Sequence, residues 1–321
     1  MPLSVVNDLI ARFGAAGAVQ LMNSQITSPL AVAAGIKVPY PNFTNPAIQT
    51  NRSVAQSLRP FPQYGAINTT DSGGDKTGES MYHAAVIKLT QRLSDGFLFQ
   101  GSYTYSKLKT NADTFSGSTG SMDAAQPDLE YSIGRLDQPH TIKLNTVFEL
   151  PFGEGKRWVK DGPLSHVIGG WRIAAVQSYS SGFPLGVTTG AAPLPIFNGT
   201  NRPNVVRDDW RAPFAGDEFN PLVDRYLDRT AFSVPVGQLG NAPRRNGSVR
   251  RPWNLSENIS LAKTISMTGQ FRLDVRMEAF NLLNRVVWGE PNTDFNNNNF
   301  GLITSTANSP RQMQLGLKLY W

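Results

Sequence analysis

The sequence predicts an all-β fold: an antiparallel transmembrane β-barrel portion of about seven to ten strands carrying long external loops. Three observations predict it. In the closing stretch, Arg311 to Trp321, Met313, Leu315, Leu317, Leu319 and Trp321 share one parity, while Gln312, Gln314, Gly316, Lys318 and Tyr320 share the other. That is the period of a strand with one apolar and one polar face. The same alternation recurs upstream in segments paired by tight turns. The connections also alternate long and short, so placing Trp321 at an inner rim puts every long loop outside.

No stretch approaches the roughly 20 apolar residues that a membrane helix requires, so any crossing falls to strands of about 9–11 residues. The absence of cysteine excludes disulfides and thiolate metal sites. The net charge of +6 raises nucleic acid as a partner. The densest basic run, Arg244-Arg-Asn-Gly-Ser-Val-Arg-Arg251, lacks the interleaved aromatics of a base-stacking platform, so it reads as a solvated loop or lumen patch and no nucleic acid is expected. Clustered glycine and proline between periodic segments favour many strands joined by turns.

From the N-terminus, Leu3, Val6, Leu9, Ile10 and Phe13 predict a short amphipathic helix broken at Gly14 and Gly17. Residues 28–72 are rich in Pro, Gly, Asn and Ala, with a strand entering near Tyr64 to Asn68. Gly73-Gly-Asp-Lys-Thr-Gly-Glu-Ser80 imitates a phosphate loop without its residue order. Met81 to Leu93 and Phe97 to Lys109 form a first hairpin around Ser94-Asp-Gly96, where Asp-Gly supplies positive φ. A long polar loop spans 110–137. Strands follow at Pro139 to Leu150 and Gly170 to Ser181, then a stretch of brief periodicity over 183–252. Asn254 to Lys263 and Gln270 to Leu282 make a second hairpin turning at Ser266-Met-Thr-Gly269. In it Phe271, Leu273, Val275, Met277 and Ala279 alternate with Arg272, Asp274, Arg276 and Glu278. A one-residue slip would turn those four charges into lipid, at about 2–4 kcal/mol for a mid-depth Arg, so register is fixed. The polar loop 284–310 precedes the last strand.

Walking back from Trp321 places 284–310, 183–252 and 110–137 outside and 264–269, 151–169 and 94–96 inside. Trp158, Trp171, Trp253, Trp288 and Trp321 fall at or near strand ends, where interfacial aromatics are expected. Domain organisation follows: residues 1–80 form a loop-rich external part with a short helix, and 81–321 the barrel segment.

Gln314-x-Gly316-x-x-Leu319-x-Trp321 resembles the C-terminal assembly signal of bacterial outer-membrane barrels. Tyr82-His-Ala-Ala85, Leu93-Ser-Asp-Gly-Phe97, Ser102-Tyr-Thr-Tyr-Ser-Lys107, Asp137-Gln-Pro-His140, Leu150-Pro-Phe-Gly153, Gly169-Gly-Trp-Arg172, Ser181-Gly-Phe-Pro184, Phe232-Ser-Val-Pro235 and Arg276-Met-Glu-Ala-Phe-Asn-Leu-Leu-Asn284 together resemble the barrel of TonB-dependent receptors, in the Oar-like branch. That resemblance implies a 22-stranded barrel gated by a plug and energised through TonB. No plug, TonB-contacting segment or signal peptide is legible here, so the expectation is the C-terminal portion of such a receptor. Its implied partners are outer-membrane lipid, the barrel assembly machinery, the remaining barrel and plug, and a bulky solute. Its implied place is the outer membrane.

No catalytic constellation is legible: His83, His140 and His166 are far apart, and no cofactor is expected. Arg272, Asp274, Arg276 and Glu278 are predicted to form a charge-paired, lumen-facing ladder. The function expected is a segment of a barrel for energised uptake. The alternatives are a structural or adhesion barrel without transport, and a secreted carbohydrate-binding β-sandwich.

Overall fold

The computed structural model describes residues 3–65, 78–93, 96–113, 122–123, 126–189, 201–235, 238–267 and 271–321. Most of the phosphate-loop imitation, the strand entry toward Asn68, and turn residues Ser94, Asp95, Thr268 and Gly269 lie outside the described residues.

In chain order the elements are α1 (Leu3–Asn23), α2 (Pro29–Ala33), α3 (Val54–Ser57), β1 (Ser80–Leu93), β2 (Phe97–Thr110), β3 (Ser132–Ile133), β4 (His140–Glu149), α4 (Pro163–Ile168) and β5 (Trp171–Ser180). There follow β6 (Pro184–Leu185), β7 (Asn204–Val205), β8 (Phe232–Ser233), β9 (Asn246–Arg250), β10 (Asn254–Ser266), β11 (Arg272–Phe280) and β12 (Gln312–Tyr320). The long strands form one antiparallel meander, β1-β2-β4-β5-β10-β11-β12, with short β3 also on β2. This is the mostly-strand, antiparallel architecture expected, and among the described residues no helix is long and apolar enough to cross a membrane.

Alternation dictates the register. Leu273 pairs with Leu319, Val275 with Leu317 and Met277 with Leu315, so the apolar parities of β11 and β12 coincide. The match continues through Leu261 opposite Met277, Ile173 opposite Leu261, Phe148 opposite Ile173, Phe97 opposite Phe148 and Ile87 opposite Tyr103. One face of the whole sheet is therefore apolar. β11 ends where Asn281 and Asn284 take φ of 50° and 51°, conformations that asparagine tolerates better than most residues.

Among the described residues, two buried hydrophobic clusters form, and neither draws on these seven long strands. The first packs Val6, Leu9, Leu21 and Met22 of α1 against Ala31 and Val54, with Leu239 alongside. Gly14, at φ 71°, kinks α1 as expected, but the helix runs on through Gly17. A glycine costs a helix only about 1 kcal/mol, which burial of Ala18, Leu21 and Met22 offsets. Ser28 and Ser53 start α2 and α3 by accepting from the amides of Ala31 and Gln56.

The second cluster differs from expectation. Residues 183–189, 201–235 and 238–252 pack with 281–311 into a cap around Trp210, Leu227, Phe232 and Phe300. Trp210 meets Phe232 edge-on at 4.9 Å, and Phe232 meets Phe300 at 5.8 Å. Pairings of β6 with β9 and β7 with β8 hold its backbone.

Candidate functional site

The sheet presents two chemically opposite surfaces. On the apolar one, Met313, Leu315 and Leu317 of β12 remain 70, 67 and 65% exposed, and Ile87 of β1 68%. Contiguous aliphatic exposure on this scale marks a surface destined for an apolar environment.

Aromatic rings bound that surface at both ends. At the end nearer the cap, His140 stacks with Tyr103 at 6.1 Å and with Trp253 at 6.2 Å, and its Nδ1 shares a 2.8 Å hydrogen bond with the Tyr103 hydroxyl. At the opposite end Trp171 opens β5 and donates from its indole to the Val167 carbonyl at 3.0 Å. Lys263 has apolar parity, yet its ammonium turns to the rim, lying 5.6 Å from the Trp171 ring and donating to the carbonyls of His166 and Val167. That posture hides the stem and keeps the charge wet. Trp158 packs on Phe152 in the same rim, and Trp321 ends the chain there, 84% exposed. Trp288 is placed elsewhere, against Phe219 within the cap.

On the polar surface, register brings Arg272, Asp274, Arg276 and Glu278 opposite Tyr320, Lys318, Gly316 and Gln314. Arg272 lies 3.9 Å from Asp274, and Arg276 3.7 Å from Glu278. Thr264 donates to Asp274 at 2.7 Å, and the Gln314 amide donates to Glu278. These pairs are solvated, so each is worth about 0–1 kcal/mol and serves local neutrality more than stability. A Cβ on Gly316 would touch only the Arg276 carbonyl, at 3.9 Å, so nothing in this sheet requires glycine there. Leu319 and Trp321 sit on the apolar parity.

Sequence reasoning missed two groups. Glu257 has apolar parity on β10 but is only 4% exposed, covered by the turn after β11, where Arg285 donates to it at 2.9 Å. A lone acid among Leu255, Ile259 and Leu261 was the available signal. The second group is a set of ion pairs that clamp the cap to the β2–β4 connection. Arg202 meets Glu130 at 2.8 Å with both side chains buried, Arg250 meets Asp137 at 2.6 Å, and Arg244 and Arg245 each approach Asp113 at 3.4 Å. The basic run at 244–251 is thus not a solvated patch, because three of its arginines point inward to acids from a distant loop. Burial holds the Arg244 guanidinium below its ordinary pKa, against the opposing pull of Asp113.

Two clefts of about 220 Å³ open at the sheet ends. One lies between the start of β1, the end of β2 and the β2–β4 connection, lined by Glu79, Thr110, Asp113 and Arg135. The other lies at the opposite end of the polar face, lined by Glu149, Lys156, Arg172 and Thr264.

Residues 28–314 match the family described as outer membrane beta barrel domain. No curated protein matches the chain.

Proposed function

The chain belongs to the outer membrane beta barrel domain family, and we propose that within that membrane it serves energised uptake, as part of a TonB-dependent receptor of the Oar-like kind. Family membership places it in the outer membrane and sets aside a secreted β-sandwich. Its exposed aliphatic face then meets acyl chains and its ionic face the lumen.

The observation that supports the uptake reading is the pairing of a charged wall with a folded cap, which this reading places at the outer surface. A wall of that kind suits passage or a plug, and a shaped cap suits capture of a bulky solute before it. The ordered motifs from Tyr82 to Asn284 add the resemblance to the receptor barrel. In this reading a plug rests on the ladder of Arg272, Asp274, Arg276 and Glu278, TonB acts through that plug, and the assembly machinery reads Gln314, Gly316, Leu319 and Trp321. In this reading the chain binds and passes solute and catalyses no reaction.

A structural or adhesion barrel is the second reading, favoured by the cap's buried ion pairs, which suit a rigid surface feature. Cross-linking in living cells separates the two. A TonB adduct that disappears when the proton gradient is collapsed is the expected result. No adduct from protein that migrates as folded on an unboiled gel would leave only the structural role.

A further inference from the structure

The lumen face is electrically uneven. On β11 and β12 both acids have basic neighbours, as described above. From β1 to β10 the same face carries Lys88, Arg92, Lys143 and Arg172 against the single acid Glu149. That acid is already engaged by the Lys156 ammonium at 2.7 Å.

Register arranges the surplus. Lys88 lies opposite Ser102, Ser102 opposite Lys143, Lys143 opposite Ser178, and Ser178 opposite Ser256. One level of the wall therefore reads Lys-Ser-Lys-Ser-Ser from β1 to β10. The adjoining levels offer Thr104, Thr141, Ser180 and Asn254 on one side and Thr90, Gln100, Asn145 and Asn258 on the other. None of these positions is acidic. Lys88 and Lys143 stand two strand spacings apart, about 10 Å, with a hydroxyl between them. Held by strands rather than loops, they cannot drift to a distant carboxylate.

We propose that this wall binds an anionic solute, an acidic oligosaccharide whose carboxylates meet Lys88 and Lys143 while its hydroxyls meet the serine, threonine and amide groups between. The inference rests on the uptake reading and names its substrate class. Ammonium groups attract anions as point charges, and neighbouring hydroxyls and amides exchange hydrogen bonds with sugar hydroxyls. On β11 and β12 the same face sets Arg272, Arg276 and Lys318 against Asp274 and Glu278, a smaller surplus in which every acid lies beside a cation.

The test uses the full chain refolded in detergent micelles, its fold verified by faster migration on an unboiled gel. Fluorescent oligogalacturonate is the acidic probe and a neutral cello-oligosaccharide of equal length the control, followed by anisotropy. We expect the acidic probe to bind at least about tenfold more tightly than the neutral one and to weaken as salt rises. Lys88→Gln with Lys143→Gln should lower its affinity by about tenfold or more, and Lys88→Arg with Lys143→Arg should restore it. Lys107→Gln, on the opposite parity, should change nothing. Equal binding of both probes, no binding by folded protein, or an unaffected glutamine variant would overturn the proposal. Capture of an acidic peptide with the oligosaccharide ignored would also overturn it and assign the wall to a protein partner. Failure of the chain to insert into membranes would instead remove the uptake reading beneath it.

Discussion

The wall and the cap are built by opposite rules. In the wall each residue's environment follows from its parity, and partners lie on the next strand at a register that parity fixes. In the cap, Trp210, Phe232 and Phe300 meet across long gaps in sequence, with no period between them. The wall is organised by its surroundings, lipid on one side and water on the other. The cap carries its own core and owes nothing to lipid. Changes to the two regions should therefore fail differently.

The largest effect is expected in the cap. Trp210 is 1% exposed and packs edge-on against Phe232. Trp210→Ala should cost the cap about 3–5 kcal/mol, as loss of a buried aromatic does. Limited proteolysis should then cut within 201–235, while unboiled gel mobility stays that of a folded barrel. If mobility is lost as well, the two regions are one cooperative unit and the contrast fails. Next in size is a charge on the apolar face of the wall. Leu317→Arg, in the middle of β12, should destabilise by about 2–4 kcal/mol in bilayers. Gln314→Arg, on the polar parity, should be nearly silent by the same unfolding titration. Smaller again is the ladder: Arg272→Gln removes a solvated pair and should change stability by about 1 kcal/mol or less.

This difference in construction decides what the sequence could disclose. The strands, their order and the shared apolar face were legible, because a period of two is a local signal. The ladder was legible for the same reason, since Arg272 to Glu278 alternate with Leu273, Val275 and Met277. Pairing of Arg202 with Glu130, or of Arg250 with Asp137, was not legible: the partners come from separate loops, and arginines in an aperiodic polar stretch look solvated. Trp288 carried the same ambiguity. Its place beside strand ends suggested a rim, and only the packing against Phe219 shows that it belongs to the cap. Glu257 marks the boundary between the two rules, an acid on the lipid parity made tolerable by a loop that folds over it and supplies Arg285.

The subtlest expected effect comes from pH, and it separates the regions without a change of volume. Asp228 accepts from the Thr230 amide at 2.8 Å, from the Thr230 hydroxyl at 2.8 Å and from Arg207 at 2.5 Å. Burial works to raise its pKa, and these bonds outweigh burial, holding the carboxyl below its ordinary value. A depressed folded-state pKa contributes stability that is present above the unfolded value, near 3.9, and is lost as pH falls through the folded one. The turn that Asp228 caps delivers Ala231 and Phe232 to the aromatic core. Amides of Thr230 and Ala231 should therefore exchange faster than their intrinsic rates predict as the solution is acidified below about pH 4. Asp228→Asn should flatten that dependence. Amides of β5 and β10, locked in the wall ladder, should show no matching step, and a step of equal size there would mean that acid opens wall and cap together.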